Sequence, residues 1–350
     1  MGRETPQRSS EIHSSSQERR TAPDLRRLSE KYGLSWTAVE TNAVPDRYAY
    51  LGPEGTFTEA ALRAFASGLD VEAIPCVTIQ ATLEAVRTAA AERGIVPIEN
   101  SVDGAVTATL DELATGTDLV IRAEILLPVA FALLARPGIE IADIKTVGGH
   151  PQAQPQCRRW LAEHLPDAVW RQASSNAEAA RQAADGEIDA ALAGAFAADT
   201  YGLAVVARDV QDRADAVTRF VVVSRPGPPP AVTGADRTSL VAFLAEDHPG
   251  ALMEILTEFA VRGINLTRIE SRPTGDGLGK YCFSIDCEGH VDDARVGEAM
   301  MGLRRVCAQV RFLGSYPRHD GGRTQVRQGT SDAEFAQAAA WLARLRYGRV

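Results

Sequence analysis

With 350 residues, 45% of them hydrophobic, the chain is long enough for two packed domains, and its longest apolar run, Ile125 to Ala135, falls short of the roughly 20 residues that span a bilayer. The 37 Lys and Arg against 46 Asp and Glu leave a net charge of −9 without a basic block, which argues against a nucleic-acid partner; the charged N-terminus lacks a secretory leader's apolar segment, so a cytoplasmic location and no membrane partner are expected. Five cysteines (Cys76, Cys157, Cys282, Cys287 and Cys307) form no C-x-x-C pair, so reduced thiols are expected and no metal is implied.

Residues 1–47 hold serine clusters and scattered charge, with helical spacing only after Pro23 (Leu25, Leu28, Tyr32), and read as a mostly disordered tail. Tyr48 to Leu51 is the first packed strand, and Gly52-Pro53-Glu54-Gly55-Thr56-Phe57 leads from it into a helix over Thr58 to Ala66. Two glycines in such a turn let backbone N–H groups approach an anion at the helix N-terminus. The same composition makes an ordinary turn, and Glu54 and Glu59 would repel an anion. A helix over Thr78 to Ala91 precedes the buried strand Gly94 to Ile98. Glu99-Asn100-Ser101 follows at once, before Gly104 and a helix over Val106 to Ala114. Ligands in open α/β sheets sit beyond the carboxyl ends of strands, so these polar groups are candidate ligand contacts. The alternative is that Asn100, Ser101 and Asp103 only turn the chain and cap the next helix.

A long apolar strand region, Leu119 to Leu134, continues the alternation. A second set follows: strand Ile144 to Val147, helix Pro151 to Leu165, strand Ala168 to Gln172, helix Asn176 to Ala184, strand Asp189 to Ala193 and helix Ala195 to Tyr201. The result is a two-lobed α/β body. Ser174 and Ser175 precede a helix whose Glu178 completes a capping box with Ser175. His150, after Gly148-Gly149 and before Pro151, is either a base or a capping residue. The body closes on Asp209 to Asp215 and the strand Ala216 to Val223, where Thr218 and Arg219 make a donor pair suited to an oxyanion. Threonine is also an ordinary strand residue and arginine an ordinary rim residue, so the pattern alone leaves both readings open.

Pro226 to Gly234, with Pro228-Pro229-Pro230, is a semi-rigid linker. Beyond it come strand Thr238 to Ala245, helix Ala251 to Arg262, strand Ile264 to Ser271, a hairpin around Thr274 to Gly279, strand Tyr281 to Cys287, helix Asp292 to Leu303 and strand Gln309 to Leu313, a ferredoxin-like βαββαβ sandwich. Asp247-His248-Pro249-Gly250 opens its first helix, another place where a small carboxylate could meet backbone N–H groups. After Arg318 a spacer reaches the capping box Ser331 to Glu334 and a helix with Phe335, Ala338, Leu342 and Leu345 at helical spacing, expected to dock on the body or a neighbouring subunit.

From Tyr48 to Pro317 the chain resembles monofunctional prephenate dehydratases with a C-terminal ACT regulatory domain. The resemblance rests on Gly52-Pro53-Glu54-Gly55-Thr56-Phe57, Val96-Pro97-Ile98-Glu99-Asn100-Ser101, His150-Pro151-Gln152-Ala153 with Gln156-Cys157, Ser174-Ser175 with Glu178-Ala179-Ala180, Tyr201-Gly202-Leu203 and Thr218-Arg219-Phe220, then Gly250-Ala251-Leu252 and Glu270-Ser271-Arg272-Pro273. Departures are modest: Asp215 and Ala216 stand where the family often has Asn before its Thr-Arg-Phe, Gly149 where many members have Ser, and Gln154-Pro155 where Leu-Ala is commoner.

The resemblance implies a two-lobed, periplasmic-binding-protein-like catalytic domain (48–225), a linker (226–236), an ACT domain (237–317) and a C-terminal spacer and helix (318–350). It implies conversion of prephenate to phenylpyruvate, with loss of carbon dioxide and the ring hydroxyl and without a cofactor, because aromatisation supplies the driving force. Thr218 would assist the departing hydroxide, Arg219 would hold a substrate carboxylate or brace the site, and Phe220 would keep it dry. Thr56, Asn100, Ser101, Ser174 and Ser175 would position substrate, with Glu99 a secondary candidate for general acid. L-Phenylalanine would bind near Gly250, Ala251, Leu252, Asn265, Glu270, Ser271 and Arg272 between ACT domains, which requires a homodimer or homotetramer. Two other readings carry over from the same residues: an arogenate dehydratase, and a non-catalytic sensor of aromatic acids.

Overall fold

The computed structural model describes residues 46–275, 277 and 280–348. Residues 1–45 of the expected tail, and part of the 274–279 hairpin, lie outside the described residues; Asp46 and Arg47 already belong to the first strand.

The first lobe is a mixed sheet with strand order β2-β1-β3-β11-β5. Its strands are β1 (Asp46–Leu51), β2 (Val71–Cys76), β3 (Arg93–Asn100), β5 (Val120–Pro128) and β11 (Val217–Ser224), with the short β4 (Gly104–Ala105) pairing on β3. Helices α1 (Phe57–Phe65) and α2 (Ile79–Arg87) each start at a threonine, Thr56 and Thr78, whose hydroxyl accepts the N–H three residues on. Helix α3 (Thr107–Thr115) follows the Asn100 turn. The second lobe is a sheet ordered β10-β6-β9-β7-β8. It comprises β6 (Ala132–Ala135), β7 (Thr146–Gly149), β8 (Val169–Gln172), β9 (Ala190–Ala193) and β10 (Ala204–Ala207), with α4 (Ala153–Gln156), α5 (Arg158–His164), α6 (Asn176–Asp185) and α7 (Ala197–Tyr201).

The apolar region Leu119 to Leu134, expected as one strand region, is two strands in two different sheets. β5 ends at Pro128 in the first lobe, and β6 begins at Ala132 in the second. The chain returns between β10 and β11, and the two passages run side by side: the Val129 N–H donates to the Ala216 carbonyl (2.8 Å) and Val217 pairs with Pro128. Two lobes joined by two adjacent passages give the periplasmic-binding-protein-like layout.

The C-terminal sheet is antiparallel, ordered β13-β14-β12-β15, from β12 (Asp236–Leu244), β13 (Leu266–Pro273), β14 (Tyr281–Glu288) and β15 (Cys307–Pro317). Strand alternation divides its side chains. Leu240, Ala242, Phe283 and Ile285 pack with Ile255 and Phe259 of α8 (Ala251–Ala260) and Val296 and Leu303 of α9 (Ala294–Val306). Val241, Cys282, Leu313 and Tyr316 face the other way and share a core with Leu83, Ile98, Leu110, Ile121 and Val221 of the first lobe. Gly314 allows this close docking: its φ is +138°, and a Cβ there would lie 2.3 Å from the Ile121 carbonyl oxygen.

The C-terminal helix α10 (Asp332–Tyr347) starts at the expected capping box, Ser331 with Glu334. It has no buried residue, and Trp341 and Leu345 are exposed. All five cysteines are free, and burial pushes the Cys157 and Cys287 thiols up to about 12. Among the described residues no helix is long and apolar enough to cross a membrane.

Candidate active site and effector groove

The polar loops of both lobes follow the carboxyl ends of parallel strands: 52–56 after β1, 101–103 after β3, His150 after β7, and Ser174 and Ser175 after β8. Contacts across the lobes bring these rims together. The Tyr201 hydroxyl donates to the Glu54 carbonyl (2.7 Å), and the Gln156 side-chain amide donates to Asp103 (2.9 Å). The Phe57 ring meets Phe131 and Phe196 edge-on, with centroids 5.7 and 5.3 Å away. Burial raises the Asp103 carboxyl above its usual range, opposed by Gln156 and His150; burial lowers His150, opposed by Asp103.

At the centre, Thr218 is paired with Asn100 across β11 and β3, and the Asn100 Nδ2 donates to Thr218 Oγ1 at 2.8 Å. Asn100 Oδ1 accepts the N–H groups of Val102 (2.8 Å) and Asp103 (3.0 Å), which fixes which end of the amide faces the threonine. Because Thr218 Oγ1 is an acceptor in this bond, its own proton is left to donate. Ser101 and Ser175 are alike: Ser101 Oγ accepts the Val217 N–H (2.9 Å) and Ser175 Oγ the Glu178 N–H (3.0 Å), so each retains a proton to offer. Thr56 differs, since its hydroxyl donates to the Leu51 carbonyl (3.1 Å) while accepting from the Glu59 N–H (3.3 Å). Ser174 is exposed at the same rim as Ser175.

Arg219 does not join them. Consecutive strand residues face opposite sides, and its guanidinium is buried against the C-terminal sheet. Nε donates to Glu124 (2.7 Å), Nη1 to Asp286 (2.6 Å) and Nη2 to the Tyr316 hydroxyl (2.8 Å). Asp286 also accepts from Arg268 and Ser239, and Glu124 from Arg237. Burial alone would raise the Asp286 carboxyl, but the guanidinium groups of Arg219 and Arg268 hold it well below the carboxylate range. Of the two roles expected for Arg219, bracing is the one this geometry allows; a carboxylate-holding role is not. Glu99 is corrected for the same reason: it pairs with Arg219 in register and lies 3.6 Å from its Nη1, on the face away from Asn100. Phe220 returns to the Thr218 side and is 1% exposed.

Glu59 is a residue whose role the sequence reading mistook. It is buried, accepting from the Gly55 N–H (2.5 Å) and from Arg63 (Nε 2.9 Å), so it closes the loop on itself instead of repelling a ligand. The spacing Thr56-x-x-Glu59 was the available signal. The Asp103–Gln156 clasp and the Phe57 ring contacts carried no local signal, since their partners are remote in sequence. Among the described residues no His, Cys, Asp or Glu group is arranged to hold a metal ion.

A groove of about 250 Å³ opens between the C-terminal sheet and α8, lined by His248, Gly250, Ala251, Leu252, Ser271 and Phe283 among others. It gathers four of the expected effector residues. Asn265, Glu270 and Arg272 are not part of its lining within this chain; Arg272 instead forms a two-pronged bond to Asp111 of α3 (2.9 and 2.7 Å).

Residues 48–228 match the family model described as prephenate dehydratase, and residues 239–305 the one described as ACT domain. A prephenate dehydratase of Mycobacterium tuberculosis (strain ATCC 25618 / H37Rv) is 51% identical over 311 residues, 87% of this chain and 95% of that one. The crystal structure of prephenate dehydratase in complex with L-Phe from Arthrobacter aurescens is 51% identical with a TM-score of 0.83, covering 86% of this chain and 99% of that one. A structure described as a novel type of quorum quenching acylase is 30% identical with a TM-score of 0.69, covering 77% and 97%.

Proposed function

Given that this chain belongs to the prephenate dehydratase family, with an ACT domain after the catalytic part, we propose that it converts prephenate to phenylpyruvate, carbon dioxide and water, with Thr218 as the donor to the departing ring oxygen. The observation that carries the assignment is the Asn100–Thr218 hydrogen bond, in which the threonine oxygen accepts (2.8 Å) and its proton is left for the substrate. A hydroxyl already accepting a hydrogen bond is polarised toward donating one. As the C–O bond breaks, charge gathers on the leaving oxygen, and this bond strengthens in the transition state more than in the ground state. Ring aromatisation drives loss of the carboxylate, so no carbanion requires an electron sink.

Without Arg219 in the cleft, the substrate's two carboxylates are held by neutral donors: Ser101, Ser174 and Ser175, and the N-terminal N–H groups of α1 and α6. The ring contacts of Phe57 with Phe131 and Phe196 exclude water around them. L-Phenylalanine occupies the groove beside Gly250, Ala251, Leu252 and Ser271 and regulates the reaction, in a homo-oligomer that pairs ACT domains in the cytoplasm. The experiment is an assay of the purified chain with prephenate and with arogenate, following the aromatic product by ultraviolet absorbance, with and without phenylalanine. Product from prephenate supports the reading; no product from prephenate, or product from arogenate alone, overturns it.

A further inference from the structure

The effector groove and the contacts to the catalytic body lie on opposite faces of the same two strands. On β13, Ser271 lines the groove, while Arg268 and Arg272 project to the other side. On β14, Phe283 lines the groove, and Asp286 projects to the other side. From those projecting residues two links enter the catalytic domain. Asp286 holds Arg219 (2.6 Å), the neighbour of Thr218 on β11. Arg272 holds Asp111 (2.7 Å) on α3, the helix that follows the Asn100 turn. The first link therefore ends at the residue beside Thr218, and the second on the helix that begins seven residues after Asn100.

We propose that β13 and β14 are the transmitting element of regulation: a ligand in the groove alters their set, and the Asp286–Arg219 and Arg272–Asp111 pairs pass the change to Thr218 and Asn100. Arg219 and Arg272 are thus positioning residues that touch neither ligand. This rests on the reading that phenylalanine fills the groove and that Thr218 is the donor. A groove ligand that stiffens or twists the two strands cannot leave both pairs unchanged, because their anchoring residues are one and three positions from groove-lining ones. The element has the property coupling requires, that both sites bias it.

The test uses the full chain and Asp111→Asn, a half-exposed position outside both sites. Three quantities are measured: phenylalanine binding by calorimetry, kcat/KM without phenylalanine, and the change in kcat/KM at saturating phenylalanine. In the wild type that change is expected in the range of about 5–150-fold. In Asp111→Asn it falls to about 2-fold or less, while binding and basal kcat/KM stay within about 3-fold of wild type. The charge-swapped pair Asp111→Arg with Arg272→Asp recovers a wild-type response, which a loss of mere rigidity would not. An Asp111→Asn enzyme that binds phenylalanine and responds as fully as wild type overturns the proposal. A wild type that turns over prephenate but shows no binding heat with phenylalanine refutes the groove reading, and the wiring falls with it.

Discussion

Replacing Thr218 with valine keeps the volume of the side chain and removes its hydroxyl, so it isolates the role assigned to one proton. The loss has two parts. Catalysis forfeits a donor aimed at a leaving oxygen, which by comparison with oxyanion donors is worth about 10²–10³ in kcat, or about 2.7–4 kcal/mol. Stability forfeits one hydrogen bond and leaves Asn100 Nδ2 without its 2.8 Å partner, while the Oδ1 bonds to Val102 and Asp103 hold the amide in place. Asn100 is only half-buried, so water can reach the orphaned N–H and the cost falls at the low end, about 1 kcal/mol. KM should change little, because the bond matters only as hydroxide departs. Steady-state kinetics with prephenate and urea denaturation read the two parts separately, and Thr218→Ser should recover most of kcat. Turnover by the valine variant within about 3-fold of wild type would refute the reasoning, since one donor is worth far more.

Asp286→Asn removes a carboxylate whose folded pKa is held well below its unfolded value near 3.9. Its contribution is therefore full above that value and lost as pH falls beneath it, so the stability gap between variant and wild type should be larger at pH 7 than at pH 3.5 in urea titrations; a constant gap contradicts the ion-pair account. Gly314→Ala places a methyl 2.3 Å from the Ile121 oxygen at a φ of +138°, and should destabilise by at least about 1–3 kcal/mol, read as a lower Tm. Gly250 has a φ of +98° with open space around it, so Gly250→Ala should fold yet bind phenylalanine more weakly by calorimetry; unchanged affinity would remove that turn from the effector groove. Arg219→Met removes the cation shared by Glu124 and Asp286 but leaves each one other arginine, Arg237 and Arg268, so it should cost about 3 kcal/mol in denaturation, the low end for a broken buried pair. A stable but inactive Arg219→Met enzyme would instead return Arg219 to the cleft.

The motif loops were legible because each sits where a strand gives way to a turn, and the composition of such junctions is distinctive. Caps were legible for the same reason, as at Ser175 and Ser331. What escaped the sequence reading was direction. Glu99-Asn100 and Thr218-Arg219 are neighbours in sequence, yet a strand sends neighbours to opposite faces, so only Asn100 and Thr218 can share the cleft. The alternation was there to be read, but the destination of the other face was not: Arg219 is satisfied by Asp286 and Tyr316, 67 and 97 residues away. The apolar stretch Leu119 to Leu134 concealed a change of sheet because strands buried on both faces look alike in any lobe. β2 and β10 also went unread: β2 is a half-exposed edge strand with Glu72 and Pro75 breaking its pattern, and β10 is a short alanine-valine edge.

The side-by-side passages between the lobes, tied through Val129 and Ala216, have a mechanical consequence. A rigid swing of one lobe against the other pivots about that ladder, and displacement grows with distance from the pivot. Thr218 lies one residue past Val217, at the axis, and barely travels, whereas the Tyr201–Glu54 contact between the lobes lies outside that ladder and must part. Substrate can therefore enter and product leave through a wide gape while the catalytic oxygen stays registered to its asparagine.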